Sequence, residues 1–279
     1  MASQHRVLMF SVICLVAANG CSDSPADSSQ HEAPAAETVS SSESNVSNDR
    51  VMDATGRGAT SKGRLGSGIV RGTVKFEGKR PPLKPLKMTG DEACHRSGVT
   101  VQSPRTMISE TGGVPHVFVY IKRGIQGRYP TPEKPVMLNQ SGCMFVPHVF
   151  GLQVGQPLHI VNNDETFHNV HSLTKHNAGF NVSQPQKGMK ATRRFSRPEI
   201  MVKLRCDVHG WMEAYCGVLP HPFFTVTDEN GAFEISSLPA GDYTMEAWHE
   251  LWGAIEQDVT IGDEETKECT LTYSWKRKS

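Results

Sequence analysis

Residues 199–212 read EIMVKLRCDVHGWM. Ile200, Val202 and Leu204 alternate with Met201, Lys203 and Arg205, and a period of two puts the first set together on the core face of a strand. Cys206 continues that parity at the strand's end, so its sulfur is expected to point inward where Gly210 opens a loop. The loop carries Cys206, His209 and Met212 at the spacing C-x2-H-x2-M. One turn of this length can bring three donors to a single ion. A second strand must then supply the fourth.

That strand is sought in VNNDETFHNVH, residues 161–171, which holds His168 and His171. Their spacing gives them opposite parity on a regular strand, so only one can face inward with Cys206. A thiolate, two imidazoles and a thioether suit an electron-transfer copper: soft sulfur stabilises Cu(I), imidazole suits Cu(II), and a long axial Met contact tunes the potential. The ordinary alternative is structural, since a free buried cysteine is usually a small hydrophobe and a lone histidine is usually hydrogen-bonded or at the surface. His148, His171, His176, His221 and His249 are read in that ordinary way.

Both segments resemble the cupredoxin family. VNNDETFHNV is similar to the first-histidine motif of plastocyanins, and CDVHGWM has the short ligand-loop spacing of amicyanins. The resemblance covers roughly residues 114–219 and implies a Greek-key β-sandwich with one type 1-like copper held by His168, Cys206, His209 and Met212. It also implies that Asn169 braces the ligand loop, and that Gly210 and Trp211 form an exposed rim beside His209 through which electrons pass. The chain departs from the pattern at Asp207, which follows the cysteine where Ser or Thr is usual, and at Val208, which replaces a proline and whose N–H could reach the thiolate. Residues 68–275 as a whole are similar to bacterial proteins labelled methylamine utilization proteins. VTDENGAFEISSLPAGDYTMEAWHE resembles the β-sandwich units called carboxypeptidase regulatory-like domains, and GIVRGTVKFEGKRPP resembles their opening strand.

The rest of the chain is strands and turns without a convincing helix, which predicts an all-β protein: a cupredoxin-like sandwich with an additional small β-sandwich unit. Residues 223–227 and 232–236, separated by Glu229-Asn230-Gly231, read as a hairpin. The expected organisation is a lipoprotein-type signal at 1–20, a disordered tether at 21–68, an N-terminal β segment at 69–113, the cupredoxin domain at 114–220 and the regulatory-like unit at 221–275. The apolar run from Val7 to Ala18 is too short to span a bilayer, which takes roughly 20 residues. Ala18-Asn19-Gly20-Cys21 resembles a lipobox with Cys21 as the lipidated residue, so the expectation is an exported, membrane-anchored protein.

Basic and acidic residues are equal at 29 each, and no basic stripe carries interleaved aromatics, so nucleic-acid binding has no support. Of the 7 cysteines, Cys94, Cys143, Cys216 and Cys269 remain after the signal, lipid and metal assignments. In an oxidising compartment they can form disulfides, and the preferred pairing is Cys94 with Cys143 and Cys216 with Cys269. The functional expectation is a one-electron carrier, not an enzyme, working with partners such as c-type cytochromes. A copper storage or delivery module and a metal-free binding sandwich are the alternatives.

Overall fold

The computed structural model describes residues 61–95 and 99–274. Its strands are β1 (Gly68–Glu77), β2 (Phe118–Arg123), β3 (Val136–Gln140), β4 (Phe145–Val146), β5 (Val149–Gln153), β6 (Leu158–Asn162), β7 (His168–Leu173) and β8 (Asn181–Gln184). They continue as β9 (Lys190–Arg193), β10 (Glu199–Arg205), β11 (Glu213–Leu219), β12 (Phe224–Val226), β13 (Ala232–Leu238), β14 (Gly241–His249), β15 (Gly253–Ile261) and β16 (Thr266–Ser274). Two short 3-10 turns are the helical elements among the described residues. The protein is all-β, as the strand pattern predicts.

Two sheets face each other across the core that includes Cys206 and Met212. One runs β4-β3-β6-β9 and the other β5-β11-β10-β7-β8. Leu138 and Ile160 from the first meet Leu152, Val170, Val202, Leu204 and Val218 from the second, all essentially inaccessible to water. Period-two alternation supports this closure in β8 and most of β10, while β5 and β11 are covered on both faces. The rule breaks at the start of β10. A register shift between Glu199 and Val202, with Met201 at φ 58°, inserts a bulge that reverses parity. Ile200, expected in the core, is therefore 38% exposed. Glu199 turns inward instead and accepts the backbone N–H groups of Lys175, His176 and Asn177.

A second sandwich packs β13-β1-β16 on β12-β2-β14-β15. β1 lies between β13, antiparallel, and β16, parallel, so β1 and β2 belong to this sandwich, which β12–β16 complete after the chain has passed through the first. Strand β2, which the sequence grouped with the metal-site domain, is hydrogen-bonded to β12 and β14. It reads as a continuous apolar run because both of its faces are covered. Val119 and Ile121 enter the core of the second sandwich, and Phe118 and Tyr120 face the first. The expected hairpin is also revised: Asp228 accepts the N–H groups of Asn230 and Ala232 and forms the turn, but β12 joins β2 while β13 joins β1. The turn thus connects two sheets.

The signal segment, Cys21 and residues 21–60 lie outside the described residues. Residues 61–67, expected to belong to a disordered tether, run along the body: Gly63 N–H bonds to Arg128 O at 2.8 Å and Gly66 N–H to Ser237 O at 2.9 Å. A Cβ at Gly66 would stand 2.3 Å from the Leu238 carbonyl oxygen, so its glycine permits close backbone contact.

The two sandwiches meet on a flat patch made by Gly151 of β5 and Gly217 of β11, which are register partners. The ring of Phe118 lies against it, and a Cβ on Gly217 would come within 2.3 Å of that ring. Gly217→Ala is expected to destabilise the fold by about 1–3 kcal/mol through overpacking. A lower urea midpoint with unchanged m-value would register it; an unchanged midpoint would mean that the junction is loosely packed.

Candidate metal centre

Strand β7 begins with His168, and β10 runs directly into the loop 206–212, so two adjacent antiparallel strands of one sheet deliver the donors to the same end of the sandwich. His168 and Met212 are 0% exposed, Cys206 and His209 2%. The loop closes on itself through Met212 N–H to His209 O at 2.9 Å and Cys206 N–H to Met212 O at 3.1 Å. The His209 backbone N–H, rather than that of Val208, points at Cys206 Sγ at 3.4 Å. His168, Cys206 and His209 offer donor atoms that all lie within 4.8 Å of one another.

The protonation of the two rings follows from their outer contacts. His168 Nε2 lies 3.0 Å from Asp164 Oδ2 and His209 Nε2 lies 3.1 Å from Asp91 Oδ2. A carboxylate only accepts, so each Nε2 carries the proton and each Nδ1 presents a lone pair. Those two Nδ1 atoms face each other at 3.0 Å, with Cys206 Sγ 3.8 Å from the His209 Nδ1. Two buried acceptors facing each other beside a sulfur make a place that a soft-to-borderline cation fits. Burial holds the His168 ring below the usual histidine range, which keeps it neutral as a ligand must be. Asp91 is held below the usual carboxylate range, first by the Thr166 hydroxyl. The donor chemistry and burial therefore fit copper, with His168, Cys206 and His209 placed to hold it and Met212 buried in the same loop.

Asn169 links the ligand strand to the ligand loop: its Oδ1 accepts Asp207 N–H at 2.7 Å and lies 3.3 Å from Cys206 Sγ. Its Nδ2 donates to Asp207 Oδ2 at 2.9 Å and to Asn181 at 2.7 Å. Asp207 turns outward, where the His171 hydrogen bond above all holds its carboxyl down at about 2. His171 Nδ1 reaches Asp207 at 3.1 Å, with Arg205 at 2.9 Å from the same carboxylate. His171 thus belongs to an outer polar cluster on the far side of the strand from the ligands.

The rim differs from the expectation. Gly210 is exposed, and Trp211 is half-buried with its ring 5.1 Å from that of His209 and its indole N–H donating to Cys143 O at 3.0 Å. His209 itself does not reach the surface, because Asp91 and the sulfur of Cys94, 3.6 Å from Nε2, cover its outer edge. Cys94 and Cys143 form a disulfide. Cys216 and Cys269 do not, since Cys216 is in the core of the first sandwich on β11 and Cys269 is on β16 of the second. Burial raises both thiols, Cys269 to about 11.

Asp91 and Asp164 were not singled out from sequence. Asp164 precedes His168 within the same quoted motif, so its position was visible there. Asp91 carries no such signal, because 118 residues separate it from His209. His148 is also more connected than a lone histidine: Nδ1 meets Glu213 O at 3.0 Å and Nε2 meets Glu250, which Arg105 also pairs at 3.1 Å.

No family model matches the chain and no curated protein matches it. Among solved structures it is similar to a copper-containing nitrite reductase from Thermus scotoductus SA-01, with 20% identity over 37% of this chain and a TM-score of 0.30. The chain spans only 25% of that protein's length. It is also similar to a purple cupredoxin from Nitrosopumilus maritimus, with 18% identity over 30% of this chain and 98% of that one and a TM-score of 0.26. A mutant amicyanin in the Cu(I) form matches at 15% identity over 30% of this chain and 81% of that one, with a TM-score of 0.27.

Proposed function

We propose that the chain is a one-electron carrier with a single type 1-like copper held by His168, Cys206 and His209 and weakly by Met212. The observation that carries this reading is the pair of inward Nδ1 lone pairs 3.0 Å apart beside the Cys206 sulfur. Copper bound there would supply reversible one-electron chemistry. The protein's own part is to hold the ligands so that neither oxidation state demands rearrangement, and the closed loop and the Asn169 bridge provide that rigidity. The burial of all four donors, each at most 2% exposed, supports a carrier rather than an enzyme.

The apolar run from Val7 to Ala18 and the pattern ending at Cys21 support export and lipid anchoring, and with them a cytochrome-like redox partner outside the cytoplasm. The test is direct. The full chain purified and given one equivalent of Cu(II) is expected to show an intense visible thiolate-to-copper band and a mononuclear Cu(II) resonance signal, both lost reversibly on one-electron reduction. A colourless protein that leaves Cu(II) in solution would overturn the reading.

A further inference from the structure

Each ligand ring is held from outside by an aspartate that comes from a separate part of the chain. Asp164, in the loop between β6 and β7, accepts Gly142 N–H at 2.7 Å, Cys143 N–H at 2.8 Å and His168 Nε2–H at 3.0 Å. Asp91 lies on a strap to which residues 84–95 and 99–103 contribute. It accepts Ala93 N–H at 2.9 Å, the Thr166 hydroxyl and His209 Nε2–H at 3.1 Å. The strap is fastened at its base by Leu86 N–H to Val101 O and Ser103 N–H to Lys84 O, both 2.8 Å. Its far end is tied by the Cys94–Cys143 disulfide. Both clamps therefore converge on one place: Cys143 is bonded to the strap by its sulfur and to Asp164 by its backbone.

From this geometry we infer that Asp91 and Asp164 are positioning residues that act through His209 and His168 to favour the oxidised form of the bound copper. The inference rests on the copper reading above. A carboxylate that takes the outer N–H makes an imidazole a more basic ligand and fixes its tautomer and its orientation. The gain is larger for the more highly charged ion, so Cu(II) benefits more than Cu(I). Two such clamps act on two of the ligands. A purely mechanical role for the aspartates would hold the loops in place without regard to the charge on the ion.

The measurement is the midpoint potential of the copper-loaded full chain and of Asp91→Asn and Asp164→Asn, which remove the charge at nearly constant shape. Each is expected to weaken Cu(II) relative to Cu(I) by about tenfold, a rise of ~59 mV for one electron, with the charge-transfer band retained. Asp91→Glu, which keeps the carboxylate, is expected to stay near the potential of the unaltered chain. Unchanged or lowered potentials in copper-loaded variants would overturn the inference while leaving the copper reading intact. A chain without any copper band would fail the reading itself. A second measurement needs no substitution: nitrogen NMR of the unaltered chain without copper should show both rings as Nε2–H tautomers. An Nδ1–H tautomer at either ring would overturn the clamp.

Discussion

His168→Ala is expected to abolish the thiolate-to-copper band of the loaded chain, whereas His171→Ala should leave it largely in place. His168 is wholly buried with Nδ1 3.0 Å from its counterpart on His209, and among the described residues these are the two imidazoles in the group of donors around Cys206. His171 follows on the same strand with opposite parity and is hydrogen-bonded to Asp207 on the outer face. Removing it costs a partly exposed contact with Asp207, worth about 0–1 kcal/mol. Visible absorption and metal analysis of the two variants check both halves. Retention of the band in His168→Ala would remove this ligand from the site, and loss in both would point to a centre with more nitrogen donors than the geometry places there.

The pair also shows why this centre was readable from sequence. The parity of Val202, Leu204 and Cys206 and the opposite parity of His168 and His171 are local properties of strands, and local periodicity survives into the fold. Ile200 fails only because a bulge intervenes, and a bulge is set by pairing with β11 rather than by the residues of β10 alone. Strand β2 and the turn at Asp228 were each recognised as elements but assigned the wrong neighbours, since sheet membership is a long-range choice. Asp91 lies at the limit of legibility. Its role depends on a strap returning across the ligand loop, and nothing periodic in residues 84–103 indicates that return. The preferred pairing of Cys94 with Cys143 was the sequence feature that pointed to it.

Mild acid is expected to destabilise the protein, and the cause lies away from the proposed copper ligands. Burial pushes His116 and His221 down to about 4 and His249 to about 3. His249 is 1% exposed and stacked on Trp252 with ring centroids 4.0 Å apart. His116 sits edge-on to His148 at 5.5 Å, and His221 packs on Phe223. An unfolded chain protonates these rings near 6.5, but the folded chain resists protonation until much lower pH. Stability from this source is therefore complete above pH 6.5, and it is lost progressively as the pH falls toward 4 because only the unfolded state takes up the protons. At pH 5 the loss is roughly 2 kcal/mol for each ring, a large share of a typical fold's total. Glu250, which burial alone would raise, is held below the usual carboxylate range by His148 and Arg105, so its contribution is lost only at still lower pH and in the same direction. Urea titrations of the copper-free chain at pH 7.5 and pH 5 measure the difference, and His249→Gln should reduce it. Equal midpoints at the two pH values would show that these rings are charged or hydrated in the folded state, and the packing around Phe223 and Trp252 would then have to admit water.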